Sequence, residues 1–104
     1  MPEYLNSNVS HVSREQIAVS NAAKTLTALS TANVKKHRYT DVQVLTNNIR
    51  VTFDGTTAPV GATTGTIWYA SKIYRIWGST NYTNLKMIRD SADAVVVVDN
   101  WGSA

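Results

Sequence analysis

The residues of this chain that could do chemistry are few and scattered. His11 and His37 lie far apart in polar segments, and the sequence contains no cysteine. A thiolate nucleophile, a disulfide framework and a cysteine metal site are therefore excluded, and two isolated histidines make a poor metal set. Asp90, Asp93 and Asp99 lack the regular acidic spacing of a calcium loop. They read instead as caps that keep a valine-rich hairpin soluble. Serines are plentiful, yet none sits in a nucleophile-elbow pattern that would fix a Ser-His-Asp set. The Gly-rich stretch "DGTTAPVGATTG", Asp54 to Gly65, invites a phosphate-loop reading. A P-loop needs a lysine and a following helix, so that amides converge on phosphate. Here Gly65 is followed by "TIWY", a strand pattern with no lysine. The stretch reads as a structural corner. Asp54-Gly55 supplies a turn with positive φ, Pro59 ends central pairing, and Gly61 and Gly65 permit a sharp return. The expectation is no catalytic set, no cofactor and no metal.

The aromatic residues are the richer signal. Trp68, Trp77 and Trp101 occur with Tyr69, Tyr74 and Tyr82. In a strand, neighbours point to opposite faces. Of Trp68 and Tyr69, and of Ile76 and Trp77, one member must therefore lie on an outer face. Such a surplus of apolar residues on both faces implies an interface. Trp68, Tyr69, Trp77 and Tyr82 are its candidates.

The elements that must hold these residues are strands. No helix-period apolar stripe runs far enough for a helix, whereas period-two alternation recurs along the chain. Strands are predicted at Ile17–Ser20, Thr25–Leu29, Asp41–Leu45, Ile49–Phe53, Thr66–Tyr69, Lys72–Trp77, Leu85–Ile88 and Ala94–Val98. Ile49, Val51 and Phe53 share the inward face. Asn21-Ala22-Ala23, Asn47-Asn48, Gly78–Thr80 and Asp90–Asp93 read as turns, and Lys35-Lys36-His37-Arg38 as a solvated turn between strands. Turns this regularly spaced imply an all-β chain. The fold class is a single antiparallel β-sandwich or small barrel, Ig-like or jelly-roll-like, of about seven or eight strands. The run Val95–Val98 suits a strand covered on both faces.

With 104 residues, the chain forms one domain able to bury roughly 60–70% of its unfolded surface. Residues 14–104 form the sandwich, and residues 1–13, with neither period nor many apolar groups, form an extended N-terminal arm. If a neighbour orders that arm, Tyr4, Leu5, Val9 and Val12 are the side chains that would pack. The net charge of +3 is mild and shows no dense basic stripe, so no nucleic-acid partner is expected. No apolar run reaches spanning length and no signal-peptide pattern opens the chain. The expectation is a soluble protein made in a cytoplasm, with no membrane partner.

The order of the parts resembles a group of small virion proteins of tailed bacteriophages. The likeness runs from about Thr25 to Asp99 through "IRVTFDGTTAP", the "TTG" return, an aromatic strand and "LKMIRDSADAVVVV". It implies a non-enzymatic structural component without a cofactor, present in many copies in the virion. A capsid decoration or cement protein is the first expectation. Its partners would be the major capsid protein and copies of itself in a homo-oligomer such as a trimer. The alternatives are a tail, neck or fibre-attachment protein and, from a different class, a carbohydrate-binding module. For the latter, "DGTTAP" resembles the corner of small Ig-like accessory domains of carbohydrate-active enzymes.

Overall fold

A computed structural model describes residues 9–61 and 63–103. Ten elements follow one another: β1 (Val9–Val19), β2 (Lys24–Thr25), α1 (Thr31–Lys36), β3 (His37–Thr46), β4 (Ile49–Thr52), β5 (Thr66–Trp68), β6 (Ile73–Trp77), α2 (Ser79–Asn84), β7 (Lys86–Arg89) and β8 (Ala94–Ser103). They form two antiparallel four-stranded sheets, ordered β1-β8-β3-β6 and β2-β7-β4-β5. The sequence expectation of an all-β antiparallel sandwich holds.

Alternation builds the core. Val42, Val44, Ile76, Val96 and Val98 of the first sheet meet Ile49, Val51, Trp68 and Met87 of the second, with Leu26 and Leu85 between them. β8 lies between β1 and β3, so the valine run is flanked on both edges. Val96 and Val98 point into the core, and Val97 is buried on the opposite face.

Several boundaries differ from the sequence reading. The strand expected at Thr25–Leu29 is only two residues long. Lys35 and Lys36 end a short helix instead of lying in a turn. Ser30 caps that helix by accepting from the Asn33 amide at 3.2 Å, and the lysines sit at the end that favours cations. Gly78–Thr80 opens a second helical turn, α2. The last strand runs on past Val98 to Ser103. Phe53 does not face inward. β4 stops at Thr52, and the Phe53 ring is 38% exposed, tilted against Trp68 at 5.8 Å.

The expected arm boundary between Ser13 and Arg14 falls inside β1. Val9 to Ser13 are paired with Asn100 to Ser103, across a register irregularity between His11 and Ser13. The period was hidden by that bulge, which shifts the inward set by one residue.

Candidate interaction surface

The outer face of the first sheet carries the aromatic surplus. Registers place His11 (β1), Trp101 (β8), Tyr39 (β3) and Trp77 (β6) directly opposite one another in one cross-strand row. Ring centroids are 5.1 Å apart for His11 and Trp101, 6.4 Å for Trp101 and Tyr39, and 5.1 Å for Tyr39 and Trp77. These edge-on and tilted geometries are the favoured ones for aromatic pairs. Trp77 at the open end of the row is 61% exposed.

Two residues along β3, β6 and β8, and three along β1 where the bulge adds one, comes a charged row on the same face, Arg14, Asp99, Asp41 and Arg75. The two carboxylates oppose each other on neighbouring strands, an arrangement that costs stability unless neutralised. Each is neutralised from the outside. Arg14 donates to Asp99 at 3.1 Å, His11 Nε2 lies 2.9 Å from the same carboxylate, and Arg75 Nε donates to Asp41 at 2.8 Å. The Arg75 guanidinium also lies 4.0 Å from the Tyr39 ring centroid, a cation–π contact. The hydrogen bond to Asp41 raises the Arg75 pKa, so this charge is fixed at every working pH. A third row, Gln16, Val97, Gln43 and Ile73, completes the surface.

The four aromatics expected to form one face do not lie together. Trp77 is on the row just described, while Tyr69 is exposed next to the β5–β6 turn. Trp68 is buried and stacked on Tyr74 at 4.5 Å with nearly parallel rings. Tyr82 is buried on α2, its hydroxyl donating to the Thr27 carbonyl at 2.6 Å. His11, Tyr39 and Trp101 are the face residues that sequence reasoning missed. Only the register, which no local pattern encodes, brings them into line. Of the four arm residues, Tyr4 and Leu5 lie outside the described residues. Val9 and Val12 are half-buried in β1, where Val12 sits so close over Gly102 that an added Cβ there would come within 2.9 Å of it.

Beneath the face, one end of the core holds a polar chain. Asn100 Nδ2 donates to Ser13 Oγ at 2.9 Å, and Thr40 Oγ1 donates to Asn100 Oδ1 at 2.5 Å. With that hydroxyl proton committed, His37 Nε2 is the donor in its 2.6 Å contact with Thr40. His37 Nδ1 has no partner among the described residues, and burial lowers the pKa of the ring. Burial therefore favours the neutral imidazole. Thr40 and Asn100 are sealed from solvent, and their hydrogen bonds brace β3, β8 and β1 against one another.

The corner loop behaves as a corner. Asp54 accepts from the Thr56 and Thr57 amides and the Thr57 hydroxyl, and Gly55 takes φ +77°. Pro59 is buried, and Gly61 lies against the Arg89 and Asp90 carbonyls, which a Cβ would approach to 2.9 and 3.0 Å. Arg50 reaches from β4 to the Gly65 carbonyl at 3.1 Å and to Asp90 at 2.6 Å, tying the loop to the β7–β8 hairpin. A shallow cavity of about 260 Å³ lies beside it, lined by Asn21, Val60, Gly61, Ile88, Arg89, Asp90 and Ser91. Among the described residues no group of three His, Asp or Glu could hold a metal ion, and no helix is long and apolar enough to cross a membrane. The chain matches no protein-family model, no curated protein and no solved structure.

Proposed function

We propose that this chain is a non-enzymatic structural protein of a bacteriophage virion, a capsid decoration protein whose outer sheet face seats on the major capsid protein. The observation that supports the reading is the aromatic row His11–Trp101–Tyr39–Trp77 on the outer side of a four-stranded sheet. A face of this kind, with an apolar row beside internally paired charges, is what a protein interface core with a polar rim requires. The paired Arg14–Asp99 and Arg75–Asp41 groups add orientation more than energy, because half-exposed ion pairs contribute little. Repetition by symmetry would multiply a modest contact per copy into a clamp on the shell. The assignment to a virion rests on the sequence resemblance alone.

The test is co-sedimentation of the purified protein with capsid shells of the phage that encodes it. Binding at many copies per shell is expected, and Gln16→Arg with Gln43→Arg, which plants two cations on the exposed face, should abolish it. Binding to isolated tails at few copies would move the assignment to a tail or neck protein. Failure to bind any part of the particle, or capsid binding untouched by the two arginines, would overturn the reading.

A further inference from the structure

The first sheet ends in two edges that differ in kind. On β1 the edge is guarded by the bulge near His11 and by Glu15, an inward-pointing charge whose carboxylate accepts from the Thr27 amide at 3.1 Å and the Thr27 hydroxyl at 2.5 Å. Bulges and inward charges are the devices by which edge strands resist pairing. β6 has neither, and among the described residues no strand pairs with its outer side.

The ladder decides which β6 groups point outward. Val44 donates to the Lys72 carbonyl and Gly78 to the Arg38 carbonyl, so the even-numbered residues Lys72, Tyr74, Ile76 and Gly78 face β3. Antiparallel alternation then leaves the amide and carbonyl of Ile73, Arg75 and Trp77 on the open edge. The same residues carry the exposed side chains, Ile73 at 62% and Trp77 at 61%.

We propose that this edge pairs with the β6 edge of a second copy of the chain, antiparallel, about a two-fold axis through Arg75. The partner is argued from register. In that alignment Ile73 stands opposite Trp77 of the second copy and Trp77 opposite its Ile73, so each exposed apolar residue meets the other. Each opposed pair lies at a hydrogen-bonding position; the Trp77 carbonyl already accepts from Asn81 Nδ2 at 2.9 Å and meets the partner amide with its second lone pair. The one like-charge meeting, Arg75 with itself, is already relieved. Both Arg75 hydrogen bonds go to Asp41, at 2.8 and 3.1 Å, and the guanidinium lies over Tyr39, back across β3 and away from the axis. The result is one continuous sheet through both copies, in which the charged row runs on into its own counterpart and each aromatic row meets the Ile73–Gln43 row of the other copy, all on a single face.

This inference does not depend on the virion reading. A monomer that still binds shells would sink the dimer alone, and a dimer that ignores shells would sink the function alone. Sedimentation equilibrium up to about 0.2 mM is the first measurement, because so short an edge contact lies at the weak end of interface sizes. A mass approaching twice 11.4 kDa is expected at the upper end. Ile73→Pro removes one outward amide and no bond to β3, and Ile73→Ser removes only an exposed side chain. Both should be monomeric at every concentration with an unchanged circular dichroism spectrum. Since the chain has no cysteine of its own, single introduced cysteines report register. With oxidised glutathione, Arg75→Cys should cross-link to a dimer, because hydrogen-bonded opposed residues stand about 5.5 Å apart at Cα, within disulfide reach. Lys72→Cys, at an exposed position that keeps Ile73, should not, its own counterpart lying about 20 Å away along the strand. A monomer throughout, a dimer that survives Ile73→Pro, or equal cross-linking by both cysteines would overturn the proposal.

Discussion

At the scale of single residues, the corner is where sequence and structure agree most closely. Asp-Gly after an alternating strand is a turn signal because Asp can cap the next amides and Gly alone takes positive φ freely, and both happen here. Gly55→Val should cost about 2 kcal/mol, since the new Cβ is strained by φ and would also meet Asn84 Oδ1 at 2.8 Å. Thr56→Ser, at an exposed position that keeps its amide, should leave the melting temperature unchanged. Equal effects of the two would point to a chemical role for the loop. Asp54 gives a second outcome. Hydrogen bonds from the Thr57 hydroxyl, then the Thr57 and Thr56 amides, lower its pKa to about 2. A carboxyl whose pKa is lower folded than unfolded binds more protons in the unfolded state. Its stabilisation is complete above the ordinary value near 4 and fades as pH falls towards 2. The melting-temperature gap between the parent and Asp54→Ala should therefore close between about pH 5 and pH 2. A gap that stays constant would show that the carboxylate form contributes nothing.

At the scale of elements, alternation located the strands but not their ends. β4 illustrates the limit. Ile49, Val51 and Phe53 share a period, yet pairing with β5 ends at Val51 and with β7 at Thr52, so Phe53 leaves the sheet before it can enter the core. Periodicity is a property of the chain, whereas the end of a strand is set by where its partners stop. Ile49→Ala should accordingly cost about 2–5 kcal/mol, and Phe53→Ala well under half of that, by chemical denaturation. Comparable losses would place Phe53 in the core after all. β8 shows the opposite error. "DNWG" reads as a stop, because Asp, Asn and Gly are depleted in strands. Here Asn100 is kept in the ladder by a side chain that satisfies Thr40 and Ser13 at once. Replacing it by Leu, close in size but unable to hydrogen-bond, strands both hydroxyls and should cost about 1–3 kcal/mol. The paired variant Ser13→Ala with Asn100→Leu, which leaves the His37–Thr40 contact in place, should recover part of that loss. No recovery would mean that the brace is not a coupled unit.

At the scale of the whole molecule, the first and last strands described close the sheet together. β1 pairs with β8 along nearly its full length, from Val9 with Ser103 to Val19 with Ala94. Such a contact spans most of the sequence, so forming it carries a large loop-closure entropy. It also explains why the candidate interface was only half legible. Trp77 could be recognised as outward from its neighbour Ile76, but His11, Tyr39 and Trp101 come into line only when distant strands adopt one register. The same pairing changes what shortening the chain should do. A dispensable arm ending at Ser13 would leave a protein starting at Arg14 with the parent's melting behaviour. In the structure that cut removes the stretch of β1 facing Asn100 to Ser103, takes Ser13 from Asn100 and His11 from Trp101, and uncovers Gly102 where Val12 lay. Loss of the Asn100 hydrogen bond alone costs about 1–3 kcal/mol, and each kcal/mol lowers the melting temperature of a domain this size by roughly 4–8 °C. The shortened chain should therefore melt at least several degrees below the parent. Calorimetry of the two proteins at one pH and concentration decides it. Coincident transitions would restore the boundary at Arg14 and leave residues 9–13 free to serve a neighbour instead of their own sheet.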